Sequence, residues 1–373
     1  MAIAKMNLVS KLHQPCEVNY IESLNLDDYS SNPHVVELDT TEICNLACRG
    51  CISEDMLHTR NSFSEDRLLR LGEELFEAEV KAVILIGGGE PLCNHAVGSF
   101  MTYLGERDVQ IGLTTNGTLI DRYMEIIAQY VSWTRVSMDA ATEGTFGMLR
   151  PAKNGKSLFN KIIDNMSNLA KIKKGKLGYS FLIRTKADGF SIDTNIDEIY
   201  AAAKLAKEIG CDYFELKPSY KFTDNSDHYL IKHEQADMDR AKAELMKCQE
   251  LSNDKFKVIT SVNLEHSLNG LQSLQPKEYH LCPSAYMRTL ICSSGVYVCP
   301  YFRGKKHMIV GDVSTRSFKE VWNSEQRKKV MQMLDPALHC KMHCIRHDTN
   351  LEVLRMKKEQ DFRILAEKGD RFI

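Results

Sequence analysis

The sequence predicts an α/β protein, a partial (β/α)6 barrel followed by a small C-terminal cysteine-rich domain built from a β-hairpin and a helix. Three observations carry this. Apolar strands alternate with helical segments six times between about residues 35 and 218. Polar or glycine-rich residues stand at the end of each strand, where barrels of parallel strands keep their reactive groups. Cysteines, sparse through the middle of the chain, return as a second group after Leu281.

The first strand, Val35–Leu38, is short and apolar and delivers the loop Cys44-x-x-x-Cys48-x-x-Cys51. Ser62-x-x-Glu65 has the form of a capping box and opens a helix through Leu68, Leu69, Leu71, Leu75 and Phe76. Ala82-Val83-Ile84-Leu85-Ile86 is apolar on both faces, as a parallel strand covered by helices is. It runs into Gly87-Gly88-Gly89-Glu90-Pro91. Val109–Leu113 is a strand ending at Thr114-Thr115-Asn116-Gly117, and a helix follows from about Asp121 to Tyr130. Trp133–Met138 is a strand ending at Asp139; about Leu158–Lys171 is a helix; Leu177–Arg184 is the fifth strand. A helix over roughly Ile196–Ile209 leads to the sixth strand, Tyr213–Leu216, which ends at Lys217-Pro218. Six units rather than eight predict an open sheet. The expected division is an N-terminal extension over 1–34, the barrel over 35–220, a helical linker region over 221–275, the cysteine-rich domain over 276–347 and a C-terminal helix over 348–373.

The 373 residues suffice for one large domain and an appendage. A formal net charge of −2 points to no nucleic-acid or lipid partner. Lys171, Lys173, Lys174 and Lys176 read as a solvated helix C-terminus. Lys5, Lys11 and His13 interrupt the only apolar run near Met1, and no stretch of about 18 apolar residues occurs. A cytoplasmic location is therefore expected, where cysteines stay reduced.

Three thiolates on one loop can hold three corners of a cubane iron–sulfur cluster and leave one iron open. Zinc or plain burial would also explain the triplet alone. With the glycine run in its place, the pattern resembles the radical S-adenosylmethionine (radical SAM) superfamily, from about Val35 to about Cys344. The resemblance implies S-adenosylmethionine and a [4Fe–4S] cluster at Cys44, Cys48 and Cys51. It places Gly87, Gly88, Gly89 and Glu90 by the methionine amino group and Asn116, Ser137 and Asp139 around the ribose and carboxylate. Arg150 becomes a partner for the methionine carboxylate. One departure is Gly50, where the family usually has an aromatic residue that packs on adenine. Cys93, two residues past the motif, is either a hydrogen-atom donor or a buried thiol.

Cys282, Cys299, Cys340 and Cys344 form the second constellation. Thr289–Cys292, a Ser293-Ser294-Gly295 turn and Val296–Cys299 read as a hairpin, and an amphipathic helix passes through Phe318, Val321 and Trp322. This resembles the SPASM and twitch appendages, which implies a second [4Fe–4S] cluster; a four-thiolate zinc site is the alternative. Cys292 is a further candidate ligand, and His343 is read as a bystander.

The expected reaction is hydrogen abstraction from a small hydroxylated, sugar- or cyclitol-like metabolite, followed by dehydrogenation, epimerisation or rearrangement. The alternative is modification of a peptide or protein. Only about 35 residues precede the first strand, where peptide-modifying relatives often carry a leader-binding domain. Pro300-Tyr301 follows Cys299, where sulfatase-type maturases place an acidic base. Both features favour the small molecule. A base is required for dehydrogenation, and Lys217, Tyr220, His266 and Tyr301 are the candidates. A flavodoxin or ferredoxin is the expected electron donor.

Overall fold

The computed structural model describes residues 4–5, 7–189, 194–222, 228–270, 276–341 and 344–373. It has the expected α/β class. The strands are β1 (Ala4–Lys5), β2 (Val35–Asp39), β3 (Ala82–Leu85), β4 (Gln110–Thr115), β5 (Val131–Ser137), β6 (Lys176–Leu182) and β7 (Tyr213–Lys217). They continue with β8 (Tyr220–Phe222), β9 (His228–Leu230), β10 (Lys257–Thr260), β11 (Arg288–Cys292), β12 (Gly295–Tyr297) and β13 (Ile309–Gly311). Pairing is mostly parallel and the sheet does not close.

Two compact units divide the chain. The first comprises Met1–Met6, Ile43–His58 and Leu113–Ser273; the second comprises Asn7–Glu42, Thr59–Gly112 and Leu274–Ile373. In the first unit β1, β10, β7, β6 and β5 pair in that order, all parallel. In the second, β3, β2 and β11 pair in parallel, and β12 and β13 extend them antiparallel. The helix Glu65–Glu77 buries Leu68, Leu71 and Leu75, and Phe159–Ile172 buries Phe159, Ile162, Met166 and Leu169. Each such side chain contributes about 1.5–3 kcal/mol by leaving water. All four residues of β3 are buried, as its unbroken apolar run requires.

Several boundaries differ from the sequence reading. The helix cap is Ser64, whose side chain accepts from Arg67 N at 3.3 Å, while Ser62 forms a β-bridge with Thr41. The cap belongs to the residue whose backbone turns into the helix, and Ser64 is extended with ψ 161°. Within the expected helical linker, Gln235–Cys248 is a helix, but Lys257–Thr260 is the strand β10, which pairs with β7. The hairpin is longer in partnership than its sequence shows, because β11 lies in parallel register with β2, Leu290 opposite Glu37. The expected helix over 348–373 is His347–Glu359; Gln360 takes a φ of +53° and ends it. The remainder runs without regular structure to Phe372 and Ile373, which are buried. His343 and most of the polar stretch 223–228 lie outside the described residues. No described helix is long and apolar enough to cross a membrane.

Candidate functional site

In the first unit the three-cysteine loop is fastened to the segment that carries Arg150. Ala47 N donates to Pro151 O at 2.8 Å and Arg49 N to Leu149 O at 2.9 Å, and Leu46 bridges Ala152. The other side of the loop meets the end of β4. Asn116 Nδ2 donates to Asn45 Oδ1 at 2.8 Å and stands 3.9 Å from Cys44 Sγ, and Asn45 Nδ2 donates to Thr118 Oγ1 at 2.6 Å. Gly50 has a φ of +62°, a left-handed turn that disfavours any residue with a Cβ. The absence of an aromatic residue at this point therefore has a backbone cause.

Asp139 and Arg150 form the charged floor beside the loop. Asp139 is 2% exposed and has a φ of +58°, a conformation that asparagine and aspartate tolerate better than other side chains. It is held there by Leu182 N donating to Oδ1 at 2.8 Å and by Asn195 Nδ2 donating to its carbonyl at 2.8 Å. Its Oδ2 accepts from both Nε (2.9 Å) and Nη2 of Arg150. Arg150 Nη1 in turn lies 3.7 Å from Cys48 Sγ. Burial alone would work against the guanidinium charge, but Asp139 and then Cys48 more than offset it. Burial raises the Cys48 thiol, and Arg150 opposes that rise. Both carboxylate oxygens of Asp139 are thus engaged, and its geometry is that of a residue that positions Arg150. Ser137 ends β5, in register with Ser180.

A second charged group stands at the end of β7. Glu215 Oε2 accepts from Arg135 Nη1 at 3.2 Å and lies 3.8 Å from Lys217 Nζ. Burial, then the like charge of Arg135, pushes Lys217 down to about 8, with Glu215, Asp139 and Arg150 also acting on it. Because the folded value lies below the ordinary 10.5, the unfolded chain binds more protons between the two, and stability rises with pH from about 8 to 10.5. Lys217→Met is expected to flatten that rise in urea midpoints measured stepwise across the window. An unchanged slope would assign it to another group. Of the other base candidates, Tyr220 OH accepts from Asn263 Nδ2 at 2.7 Å, and burial pushes its phenol up to about 12. His266 lies on the same helix as Asn263, Val262–Leu268. These three candidates belong to the first unit, whereas Tyr301 and Cys93 belong to the second.

In the second unit β3 runs into the glycine motif. A Cβ on Gly87 would collide with the carbonyl of Gly89, and one on Gly88 would come within 3.3 Å of Glu42 Cγ and 3.4 Å of Asp39 Oδ2. The backbone at Gly88 therefore packs closely over two buried carboxylates, and a side chain there would require them to shift. Gly89 N donates to Thr41 O at 2.9 Å, and Glu90 Oε1 accepts from Leu92 N at 3.2 Å, capping the turn Pro91–Cys93. Cys93 is half-buried. Asp39, fully buried at the end of β2, pairs with Arg303 through Oδ1 at 3.0 Å and Oδ2 at 2.8 Å. Burial still pushes its carboxyl up to about 6. The strand-end position of Asp39 could have marked it in the sequence; nothing local marks Arg303.

Cys282, Cys299, Cys340 and Cys344 converge in the same unit, each acted on by the charge of others in the set or by Lys277. Burial raises all four thiols. Hydrogen-bond donors already face three of them. Asn350 Nδ2 reaches Cys282 Sγ at 3.6 Å, Arg346 N reaches Cys344 Sγ at 3.4 Å, and the backbone N–H of Tyr301 donates to Cys299. Such donors suit thiolates, and a bound metal removes the thiol protons that burial would otherwise retain. Four thiolates suit either a tetrahedral zinc or a [4Fe–4S] cubane. Among the described residues, the ligand atoms of Cys16, Glu17 and His34 lie within 4.8 Å of one another. Cys292 is not part of the set: its Sγ lies 3.2 Å from Gly295 O, inside an apolar cluster with Leu290 and Tyr297.

The family model for the radical SAM superfamily matches residues 38–188, and that for the SPASM iron–sulfur cluster-binding domain matches residues 282–345. The chain is 23% identical over 300 residues to the mycofactocin maturase MftC of Mycolicibacterium smegmatis, covering 79% of this chain and 71% of that protein. It is 26% identical over 203 residues to the GTP 3′,8-cyclase of Rhodobacter capsulatus, covering 52% and 56%. Among solved structures, SuiB of Streptococcus suis bound to precursor peptide SuiA is similar at a TM-score of 0.59 and 17% identity, over 84% of this chain and 72% of that one. Native anSMEcpe with bound AdoMet and Kp18Cys peptide is similar at a TM-score of 0.55 and 16% identity, over 81% and 83%.

Proposed function

The chain belongs to the radical SAM superfamily and carries a C-terminal SPASM domain, and from that premise we propose that it modifies a peptide or protein substrate. The small hydroxylated metabolite expected from the sequence becomes the second reading. The observation that carries the change is the extent of likeness. The match to a maturase runs over 79% of the chain, whereas the GTP 3′,8-cyclases of Rhodobacter capsulatus, Syntrophomonas wolfei and Clostridium perfringens match over 52%, 25% and 32% of it. The same fold in SuiB and anSMEcpe has been solved with peptides bound.

In this reading Cys44, Cys48 and Cys51 hold one [4Fe–4S] cluster, and Cys282, Cys299, Cys340 and Cys344 hold a second. With S-adenosylmethionine bound, the first would supply the electron for its reductive cleavage, the chemistry that makes a hydrogen-abstracting radical available. Arg150, kept charged and aimed by Asp139, offers a fixed cation to a carboxylate beside Cys48. Gly87, Gly88 and Gly89 offer close backbone approach, with Glu90 capping the following turn. Lys217, pushed down to about 8, is the best placed of the candidates to exchange a proton near neutral pH. The electron donor is a flavodoxin or ferredoxin, and the setting is the cytoplasm.

The test is anaerobic turnover of the reconstituted enzyme with dithionite and S-adenosylmethionine, offered pooled random peptides or a panel of cyclitols and amino sugars. Peptides are expected to raise 5′-deoxyadenosine formation about tenfold, because binding energy from remote parts of the substrate promotes the chemical step. A mass change should appear in the responding peptide. Stimulation by the polyols alone would return the metabolite to first place.

A further inference from the structure

Among the described residues, two cations in the unit of the four cysteines have enclosed nitrogens with no hydrogen-bond partner. Lys277 is 3% exposed, and its Nζ has no hydrogen-bond partner among the described residues. Arg346 is half-buried, with Nη1 enclosed and likewise unpartnered. A buried cation is costly unless an anion faces it. The groups acting on Lys277 are Cys344 and Cys340, then Asp348. Those acting on Arg346 are Arg288, Glu37, Cys344 and Tyr301. Glu37 is already engaged with Arg288 Nη2 at 2.7 Å. Cys344 is the one group that acts on both cations.

We propose that Lys277 and Arg346 tune the four-cysteine centre to accept an electron, because their charge favours its reduced, more negative state over its oxidised one. The inference rests on the reading above that this centre is an iron–sulfur cluster. Net charge and hydrogen bonds to the sulfurs are among the factors that set the potential of such a cluster. Here both act in one direction: two cations whose Nζ and Nη1 have no hydrogen-bond partner among the described residues, and N–H donors from Arg346 to Cys344 and from Asn350 to Cys282. The couple is one electron, with no bond formed or broken. Arg288 is excluded from this role by its pairing with Glu37.

The experiment is an EPR-monitored potentiometric titration with dithionite as reductant, on the full chain carrying Cys44, Cys48 and Cys51→Ala so that only the C-terminal centre reports. Lys277→Met and Arg346→Met are each expected to lower the reduced-to-oxidised ratio at fixed potential about tenfold, a downward shift of ~59 mV for a one-electron couple. Lys277→Arg, which keeps the charge, should restore most of the shift. Iron and sulfide are counted in every sample first. Unchanged or raised potentials in both methionine variants, with the centre intact, would overturn the proposal. A parent chain holding no iron would instead overturn the cluster reading on which it rests, and the count tells the two failures apart. Should Lys277→Met lose its iron, Arg346→Met decides.

Discussion

Replacing Cys44, Cys48 and Cys51 together by alanine is expected to abolish 5′-deoxyadenosine formation, a loss of at least ~10³-fold, while about four irons and four sulfides per chain survive. The two parts of the result have separate causes. The loop cysteines stand in the first unit, with Arg150 beside Cys48 and Asn116 beside Cys44. The four C-terminal thiols share the second unit with their own N–H donors and cations. Neither set supplies a ligand to the other in sequence, so loss of one should leave the other loaded. Iron and sulfide analysis with zinc measured in the same samples reads both. If the variant retains zinc and no iron, the C-terminal site is structural, and redox-neutral chemistry moves to the front. If it still forms 5′-deoxyadenosine, the loop is not the site of cleavage at all.

What the sequence disclosed depends on the range of the interaction. The strand β3 was legible because Ala82–Leu85 is apolar on both faces and runs into glycines, at the first of which, Gly87, a Cβ would collide with the carbonyl of Gly89. The three-cysteine loop and Arg150 were legible as spacing and motif. The strand β10 was not, since four residues, Lys257–Thr260, carry too little pattern to separate from a helical linker. The pairing of β11 with β2 and the Asp39–Arg303 ion pair join residues more than 250 positions apart, and no local signal announces such partners. The sequence places Asp139 at a strand end beside the expected ribose, and its hydrogen bonds with Leu182 N and Arg150 carry no local signal. Gly50 shows the converse: a missing aromatic looked like a lost contact, and the positive φ supplies the reason glycine stands there.

Arg150→Ala is expected to be the most damaging single substitution in the first unit. It leaves the carboxylate of Asp139, 2% exposed, without its main partner. Removing one member of a buried pair typically costs about 3–5 kcal/mol, because the remaining charge is stranded. It also withdraws the cation beside Cys48, so binding of S-adenosylmethionine, read by equilibrium dialysis, should weaken at least about tenfold. Arg150→Lys should recover part of the stability and little of the binding, since an ammonium cannot reproduce the planar fork that meets Asp139 through Nε and Nη2. Asp139→Asn separates positioning from charge. Asparagine tolerates the left-handed backbone and can still accept from Leu182 N, but it no longer holds the guanidinium by charge. If the pair acts as a unit, urea denaturation of Asp139→Asn/Arg150→Ala will show a smaller loss than the sum of the two single changes, a coupling of roughly 1–3 kcal/mol. Strict additivity would mean that Arg150 and Asp139 serve the fold independently, and Arg150 would then be held beside Cys48 by the loop's own hydrogen bonds to Leu149 and Pro151.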